Sequence, residues 1–122
     1  MQDEFEYTQI LDLSEKTEEE PSSTPTFVIE VRSGPEDGKE WRFTKREIQL
    51  GRSSGNDVAL TKDPFISRSH ALLKHKEGRF WIKDLGSPSG VYVGAKQVMG
   101  VVLLEEDQLF RLGKTWLSLE EL

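Results

Sequence analysis

Short runs in which large apolar residues alternate with polar ones recur from residue 27 to the end of the chain. Residues 41–43 and 48–50 have the period of two that is typical of a strand with one buried face. Further strand-like runs occupy residues 27–31, 58–60, 71–73, 79–82, 91–93, 109–112 and 116–119. Turn-forming residues separate them, and no segment keeps the period of an amphipathic helix. The pattern predicts an all-β domain, either a sandwich or a barrel.

The acidic residues are concentrated before the first of these runs. Residues 1–26 contain eight acidic residues and one basic residue, a formal charge of −7, whereas the whole chain carries −6. Residues 27–122 are therefore close to neutral, at +1. The acidic segment ends in Pro21-Ser22-Ser23-Thr24-Pro25, a composition that is typical of linkers. We predict an acidic flexible tail over residues 1–26 and one domain over residues 27–122.

Composition also limits the class of protein. No apolar run is long enough to span a membrane, and the N-terminus lacks the basic start and apolar stretch of a signal peptide, so we expect a cytoplasmic protein without membrane contact. The chain has no cysteine, which rules out a disulfide framework and a thiolate metal site. A near-neutral domain without a dense basic patch argues against nucleic acid as a partner.

Three polar stretches stand between the strand-like runs. They are Gly51-Arg52, then Ser67-Arg68-Ser69-His70, and then residues 84–90 with the sequence DLGSPSG. Arginine presents a planar fork of donors, and serine hydroxyls and backbone N–H groups in turns add further donors. This combination suits a tetrahedral dianion, and it predicts an oxyanion-binding site.

The residue types of Ser67 and His70 would also fit acyl transfer. However, no Gly-x-Ser-x-Gly elbow leads from a strand to a helix, and no acidic residue is placed to orient the histidine. His70 and His75 lack the matched carboxylate spacing that would define a metal site. We therefore expect no enzyme, metal or cofactor within this chain. An enzymatic output domain would belong to a longer parent protein.

The order and spacing of the polar stretches resemble the forkhead-associated (FHA) domain, a phosphothreonine-binding β-sandwich, from about Phe27 to Leu122. The resemblance implies two antiparallel-rich sheets with about eleven short strands. It assigns Arg52 and Ser67 to direct contacts with phosphate, and Arg68 to contacting or supporting the same anion. It gives a structural role in the loops to Gly51, His70 and Gly90.

One loop departs from the family pattern, which commonly reads Asp-x-x-Ser-x-Asn-Gly-Thr. Ser89 stands where the family asparagine clasps the peptide backbone, and Pro88 stands before it and has no hydroxyl to donate. Ser89 is therefore a candidate phosphate or peptide contact of shorter reach, and we expect weak affinity or a tethered ligand. Phe65 stands where the family reads the third residue after the phosphothreonine, so we predict an apolar preference there.

The acidic tail contains a candidate ligand for such a site. The third residue after Thr8 is Leu11, an apolar residue that suits Phe65. The third residue after Thr17 is the acidic Glu20, and Thr24 and Thr26 lie too close to the first strand to reach the site. Phosphorylation of Thr8 by a Ser/Thr kinase would supply the dianion. A linker of about 15 residues would then provide a millimolar effective concentration. The partner would be a phosphothreonine-containing protein or the chain's own tail, in a monomer or a tail-exchanged dimer.

A second class of function stays open at this point. A degenerate FHA domain can serve as a phospho-independent adaptor that uses the same loops or an outer sheet face for protein contacts. The two classes differ in whether binding depends on Arg52.

Overall fold

The computed structural model describes residues 25–122, which form eleven strands in two sheets and contain no helix. The strands are β1 Phe27–Ser33, β2 Glu40–Phe43, β3 Glu47–Gly51, β4 Val58–Ala59, β5 Ala71–Lys76, β6 Arg79–Asp84, β7 Val91–Val93, β8 Lys96–Gln97, β9 Val101–Leu104, β10 Phe110–Leu112 and β11 Thr115–Glu121. The first sheet has the order β2-β1-β11-β10-β7-β8, and the second has the order β4-β3-β5-β6-β9. β3 and β4 pair in parallel, whereas the other described pairs are antiparallel.

The period of two places the core between the sheets. In β3, Ile48 and Leu50 are buried while Glu47 and Gln49 are exposed, and β6 buries Phe80 and Ile82 in the same way. Large side chains from both sheets, among them Phe110 of β10, fill the space between them. The predicted all-β sandwich with about eleven short strands in two sheets is confirmed. Within residues 25–122 there is no helix with the length and apolarity that crossing a membrane requires.

Two strands were absent from the sequence prediction. β9 is an unbroken apolar run, Val-Val-Leu-Leu, and it pairs with β6 at the edge of the second sheet. β8 has only two residues, both exposed, and pairs with β7 across a turn that contains Gly94. Neither segment alternates between apolar and polar residues over a useful length, so the period of two could not reveal them.

The topology gathers four connections at one end of the sandwich. They are the β3–β4, β4–β5 and β6–β7 loops and the β10–β11 turn, and hydrogen bonds join them to one another. The Arg52 N–H donates to the Ser67 carbonyl at 2.9 Å, and the His70 N–H donates to the Leu50 carbonyl at 2.9 Å. The three polar stretches of the sequence lie in these loops, so strand pairing brings them together.

Candidate functional site

Gly51 ends β3 at the point where two loops touch. A Cβ atom at this position would collide with the backbone carbonyl of Arg68 and would lie 2.7 Å from Nδ2 of Asn56. The absence of a side chain therefore lets the β3–β4 and β4–β5 loops approach this closely. This contact sets the direction in which the next residue, Arg52, leaves the strand.

Arg52 is held at the base of its guanidinium and is exposed at the tip. Its Nε–H donates to the Ile66 carbonyl at 2.8 Å, and its backbone N–H donates to Ser67. The two Nη groups form no hydrogen bond with the residues that the structure describes, and the side chain lines a surface groove. The guanidinium is thus oriented by protein contacts while its outer donors stay available to an anion.

The groove has a volume of about 390 Å³ and lies between the β4–β5 and β6–β7 loops. It is lined by Arg52, Pro64, Phe65, Ile66, Ser67, Pro88 and Ser89. Four of the residues that the sequence singled out, Arg52, Phe65, Ser67 and Ser89, therefore share one surface. A groove with a guanidinium and two serines beside an exposed aromatic ring suits a phosphorylated side chain with a flanking peptide.

Arg68 lies outside this set. Its side chain is exposed and does not line the groove, while its backbone carbonyl accepts hydrogen bonds from Asn56 Nδ2 at 2.7 Å and from the Ser53 N–H at 3.3 Å. The backbone of Arg68 therefore connects the β3–β4 and β4–β5 loops next to Gly51. Its guanidinium can contribute positive potential near the groove.

Ser89 already has a partner within the protein. Its hydroxyl donates to the Phe65 carbonyl at 2.9 Å, which links the β6–β7 loop to the β4–β5 loop. The side chains of Asp84 and Ser87 shape the same loop by accepting hydrogen bonds from backbone N–H groups, Asp84 from Ser87 at 3.0 Å and Ser87 from Gly90 at 2.9 Å. Ser89 therefore forms part of one wall of the groove, and its hydroxyl oxygen keeps the capacity to accept a hydrogen bond.

Phe65 is 54% exposed, and a cation lies against it. The ammonium of Lys114, in the β10–β11 turn, is 4.7 Å from the centroid of the Phe65 ring. This is within the range of a cation–π contact. The surface predicted to read the third residue after the phosphothreonine is therefore apolar with a positive charge at its edge, and Lys114 was not anticipated from the sequence.

Asp63 is a buried carboxylate that sequence reasoning missed. Its Oδ1 accepts the N–H of Phe65 at 2.9 Å, and its Oδ2 accepts the N–H of Lys114 at 2.8 Å and the hydroxyl of Thr115 at 2.7 Å. These bonds tie the β4–β5 loop to the β10–β11 turn and so fix both sides of the Phe65 surface. The dipeptide Asp63-Pro64 is a turn signal that could have pointed to this role.

Asn56 is the second residue that the sequence analysis left without a role. Its Nδ2 donates to the Ser53 carbonyl at 2.9 Å as well as to Arg68, so it connects the β3–β4 loop with the loop that carries Ser67. Asn56 lies in the loop Ser53-Ser54-Gly55-Asn56-Asp57 between two strand-like runs. An asparagine in such a loop commonly bonds to nearby backbone, which was the available signal.

His70 is fully buried and joins two of the loops. Its Nδ1 accepts the N–H of Ser67 at 3.1 Å, so Nε2 carries the proton and donates to the Gly90 carbonyl at 2.8 Å. Burial lowers the pKa of His70 below its ordinary value, although the Gly90 carbonyl and the carboxylates of Asp84 and Asp63 oppose this shift. Within residues 25–122 no group of three His, Cys, Asp or Glu side chains could hold a metal ion.

We expect the stability of the domain to fall as the pH drops below about 6.5, the ordinary histidine pKa. The pKa of His70 is lowered in the folded state, so the unfolded chain takes up this proton first and is favoured at acidic pH. Protonation would also put a hydrogen on Nδ1 and remove the acceptor of the Ser67 N–H. Urea unfolding at pH 7.5 and 5.5 measures the loss.

The matched variants are His70→Asn and His75→Gln, each of which removes one histidine. The difference in unfolding free energy between the two pH values should shrink in His70→Asn and persist in His75→Gln. An unchanged pH dependence in His70→Asn would contradict the assignment.

The fold and the site together define a β-sandwich whose loops present a surface groove lined by an arginine and two serines. The sequence model described as the FHA domain matches residues 48–113, which include Arg52, Ser67, His70 and Ser89. The chain belongs to the FHA domain family.

Individual relatives agree with this assignment. The chain is similar to the glycogen accumulation regulator GarA of Mycolicibacterium smegmatis, with 32% identity over 94 residues, 77% of this chain and 57% of the regulator. It is also similar to an oxoglutarate dehydrogenase inhibitor of Corynebacterium diphtheriae, with 30% identity over 87 residues, 71% of this chain and 59% of the inhibitor. The chain thus spans less than two thirds of the length of either relative.

A solved structure of an FHA domain from Chlamydia trachomatis matches with a TM-score of 0.73 and 27% identity. The alignment covers 80% of this chain and 98% of the solved domain. The likeness therefore extends over the whole sandwich and does not end at the residues of the family model.

Proposed function

We propose that this chain recognises phosphothreonine in a partner protein and acts in signalling, without catalysing a reaction itself. The observation that carries the proposal is the Arg52 guanidinium, which is fixed through Nε to the Ile66 carbonyl, lines the groove, and has outer nitrogens that no described residue engages. Ser67 lines the same groove and adds a hydroxyl donor. A dianion with three acceptor oxygens matches this donor set.

The finer features of the groove concern the peptide beside the phosphate. Ser89 offers lone pairs to a backbone N–H of the ligand, and Phe65 offers an apolar surface to the third residue after the phosphothreonine. The proposed module occupies residues 27–122 of a cytoplasmic protein, depends on an upstream Ser/Thr kinase and does not bind nucleic acid. Its relatives by sequence include a named regulator and a named inhibitor, which supports a regulatory role.

The direct test is isothermal titration of the full chain with a peptide that covers residues 2–15 and carries phosphothreonine at position 8. The same peptide with threonine or phosphoserine at that position serves as the control. Binding that requires phosphothreonine supports the proposal. Binding of all three peptides with equal affinity would instead favour the phospho-independent adaptor.

Thr8 is the phosphorylation site that we propose within the chain, and it lies outside the described residues. If phosphorylated Thr8 occupies the groove, chain phosphorylated there should bind an external phosphothreonine peptide more weakly than unmodified chain does. Light scattering of the phosphorylated chain separates a monomer that binds its own tail from a tail-exchanged dimer. Unchanged affinity for the external peptide would remove Thr8 as a ligand and leave the groove for another phosphoprotein.

Ser89→Asn should strengthen binding of a phosphothreonine peptide by roughly 5-fold, the equivalent of about one hydrogen bond. The amide reaches further than a hydroxyl, and it can keep a donor on the Phe65 carbonyl while its oxygen accepts from the peptide backbone. Titration calorimetry measures the change. Ser69→Asn is the matched control, because Ser69 is exposed and does not line the groove. Equal effects of the two substitutions would contradict the assigned role of Ser89.

A further inference from the structure

The outer face of the second sheet carries a basic and apolar surface that the phosphate groove does not use. Strand register sets Lys74 beside Trp81, Leu72 beside Lys83, and Lys76 beside Arg79. The positions between them that enter the core are Ala71, Leu73, Phe80 and Ile82. We call the surface formed by Lys74, Lys76, Arg79 and Lys83 around Trp81 the basic face. At the outward positions of the neighbouring strands, Glu47 is the acidic residue, and its carboxylate lies 3.4 Å from Nζ of Lys74.

This concentration of charge stands out because the domain as a whole is almost neutral. Among the outward positions of β5 and its two partner strands, Lys74, Lys76, Lys83 and Arg79 face a single acidic residue, Glu47, whereas residues 27–122 together carry only +1. Glu105, Glu106 and Glu121 border a hollow beside Arg79 and offset its charge, so the excess of basic residues lies with Lys74, Lys76 and Lys83. Such a surface attracts an acidic segment that also carries apolar side chains.

The position of β1 shows where the acidic segment joins the domain. The ring of Phe27, the first residue of β1, lies 4.9 Å from the ring of Phe80, and Phe80 is flanked in β6 by Arg79 and Trp81. The chain therefore enters the sandwich at the same end as Arg79 and Lys76. The phosphate groove lies beyond Asp84 at the other end of β6, roughly 17 Å away at the rise of a β-strand.

We propose that the acidic residues 12–20 of this chain dock on the basic face without any phosphorylation. This segment holds Asp12, Glu15, Glu18, Glu19 and Glu20 against a single lysine, and Leu13 provides an apolar side chain for the surface around Trp81. Residue 20 is seven positions before Phe27, a length of chain that spans up to about 23 Å. This exceeds the roughly 10 Å between packed sheets, so the segment can reach the outer face of the second sheet. Each ion pair on an exposed surface is weak, but the tether makes the contacts intramolecular and lets them add.

Docking of residues 12–20 is a separate event from phosphothreonine recognition, and it would also guide the tail toward the groove. A segment that lies along the basic face runs from the entry of β1 toward the phosphate groove. Thr8 would then be delivered to the groove by contacts that exist before the kinase acts. The docking itself does not need Arg52 or a phosphate, so it can be tested separately from the proposed function.

The test is paramagnetic relaxation enhancement in the unphosphorylated full chain. The chain has no cysteine, so Ser14→Cys creates a single attachment point for a spin label within the acidic segment. The amide signals of Lys74, Trp81 and Lys83 should lose most of their intensity relative to the same sample after reduction of the label. The signals of Arg111 and Trp116, on the outer face of the first sheet, should keep theirs.

Two treatments should abolish the effect if charge holds the segment on the face. The first is 1 M salt, where the Debye length is about 3 Å. The second is charge reversal by Lys76→Glu with Lys83→Glu, compared with Arg42→Glu and Lys96→Glu, which change the charge equally on the first sheet. Well-dispersed amide spectra of both variants establish that they fold, and Arg52→Ala should leave the relaxation pattern unchanged.

Three results would overturn the proposal. One is unchanged amide signal intensity for the residues of the basic face in the spin-labelled chain. Another is a loss of intensity that persists after charge reversal. The third comes from mixing spin-labelled chain with isotope-labelled chain that has no spin label. If the isotope-labelled chain in this mixture loses as much intensity on its basic face as the singly labelled sample does, the segment of a second copy occupies the face, and not the chain's own segment.

Discussion

Arg52→Ala should weaken binding of a phosphothreonine peptide by roughly 100-fold or more while leaving the domain folded. Each hydrogen bond to a charged group contributes about 1.5–3 kcal/mol, and the guanidinium has two outer nitrogens that no described residue engages. The fold should lose only the bond from Nε to the Ile66 carbonyl, worth about 1 kcal/mol. Calorimetry of peptide binding and urea unfolding measure the two quantities on the same protein.

Two further substitutions separate the possible causes of that loss. Arg42→Ala removes an exposed arginine of β2 and the same formal charge, so it should leave binding within about 2-fold, as expected for a screened surface charge. Arg52→Lys retains the charge but lacks the Nε donor and the planar fork, and its affinity should fall between the alanine variant and the unmodified chain. A phospho-independent adaptor would bind its partner equally well in all three variants.

The sequence predicted nine of the eleven strands from short apolar runs that lie between turn signals. In β2 and β3 large apolar residues alternate with polar ones, so the period of two located them directly. β9 escaped because three of its four apolar side chains are only partly buried on an edge strand, and such a run has no period to detect. The number of strands and the sandwich itself came from the family resemblance, which the structure confirms.

The candidate site could be predicted as a set of loops but not as a set of contacts. Arg52, Ser67 and Ser89 are short polar signals beside strands, and pairing of β3 with β5 brings the first two together. Asp63 and Lys114 are 51 residues apart, and their contact depends on the closure of β10 and β11 over the β4–β5 loop. A residue whose role is to satisfy backbone N–H groups of a distant turn leaves only a weak local signal in the sequence.

For Arg68, the sequence pointed to the right loop but to a different part of the residue than the one whose contacts the structure shows. The resemblance assigns its side chain to the phosphate, whereas in the structure its carbonyl is the part that holds two loops together beside Gly51. A sequence motif identifies which residue matters more readily than which of its atoms does. The role of the Arg68 guanidinium in binding stays a prediction.

Gly51→Ala should lower the free energy of unfolding by about 1–3 kcal/mol, the usual cost of forcing an extra carbon into a packed site. The new Cβ would meet the Arg68 carbonyl and Nδ2 of Asn56, and backbone cannot move aside as a flexible side chain can. Each kcal/mol lowers the midpoint of thermal unfolding by roughly 4–8 °C in a domain of this size. Peptide binding should weaken in parallel, since displacing Arg68 also moves its neighbour Ser67.

Gly55→Ala is the control for that substitution. Neither glycine has a positive φ, so backbone strain does not differ between them, and a Cβ at Gly55 would lie 4.0 Å from Oγ of Ser53, an ordinary contact. Gly55→Ala should therefore keep both its unfolding midpoint and its affinity. If Gly51→Ala proved as stable as Gly55→Ala, the two loops would not need their close approach. If it lost stability but bound the peptide normally, the approach would support the fold without positioning Arg52 and Ser67.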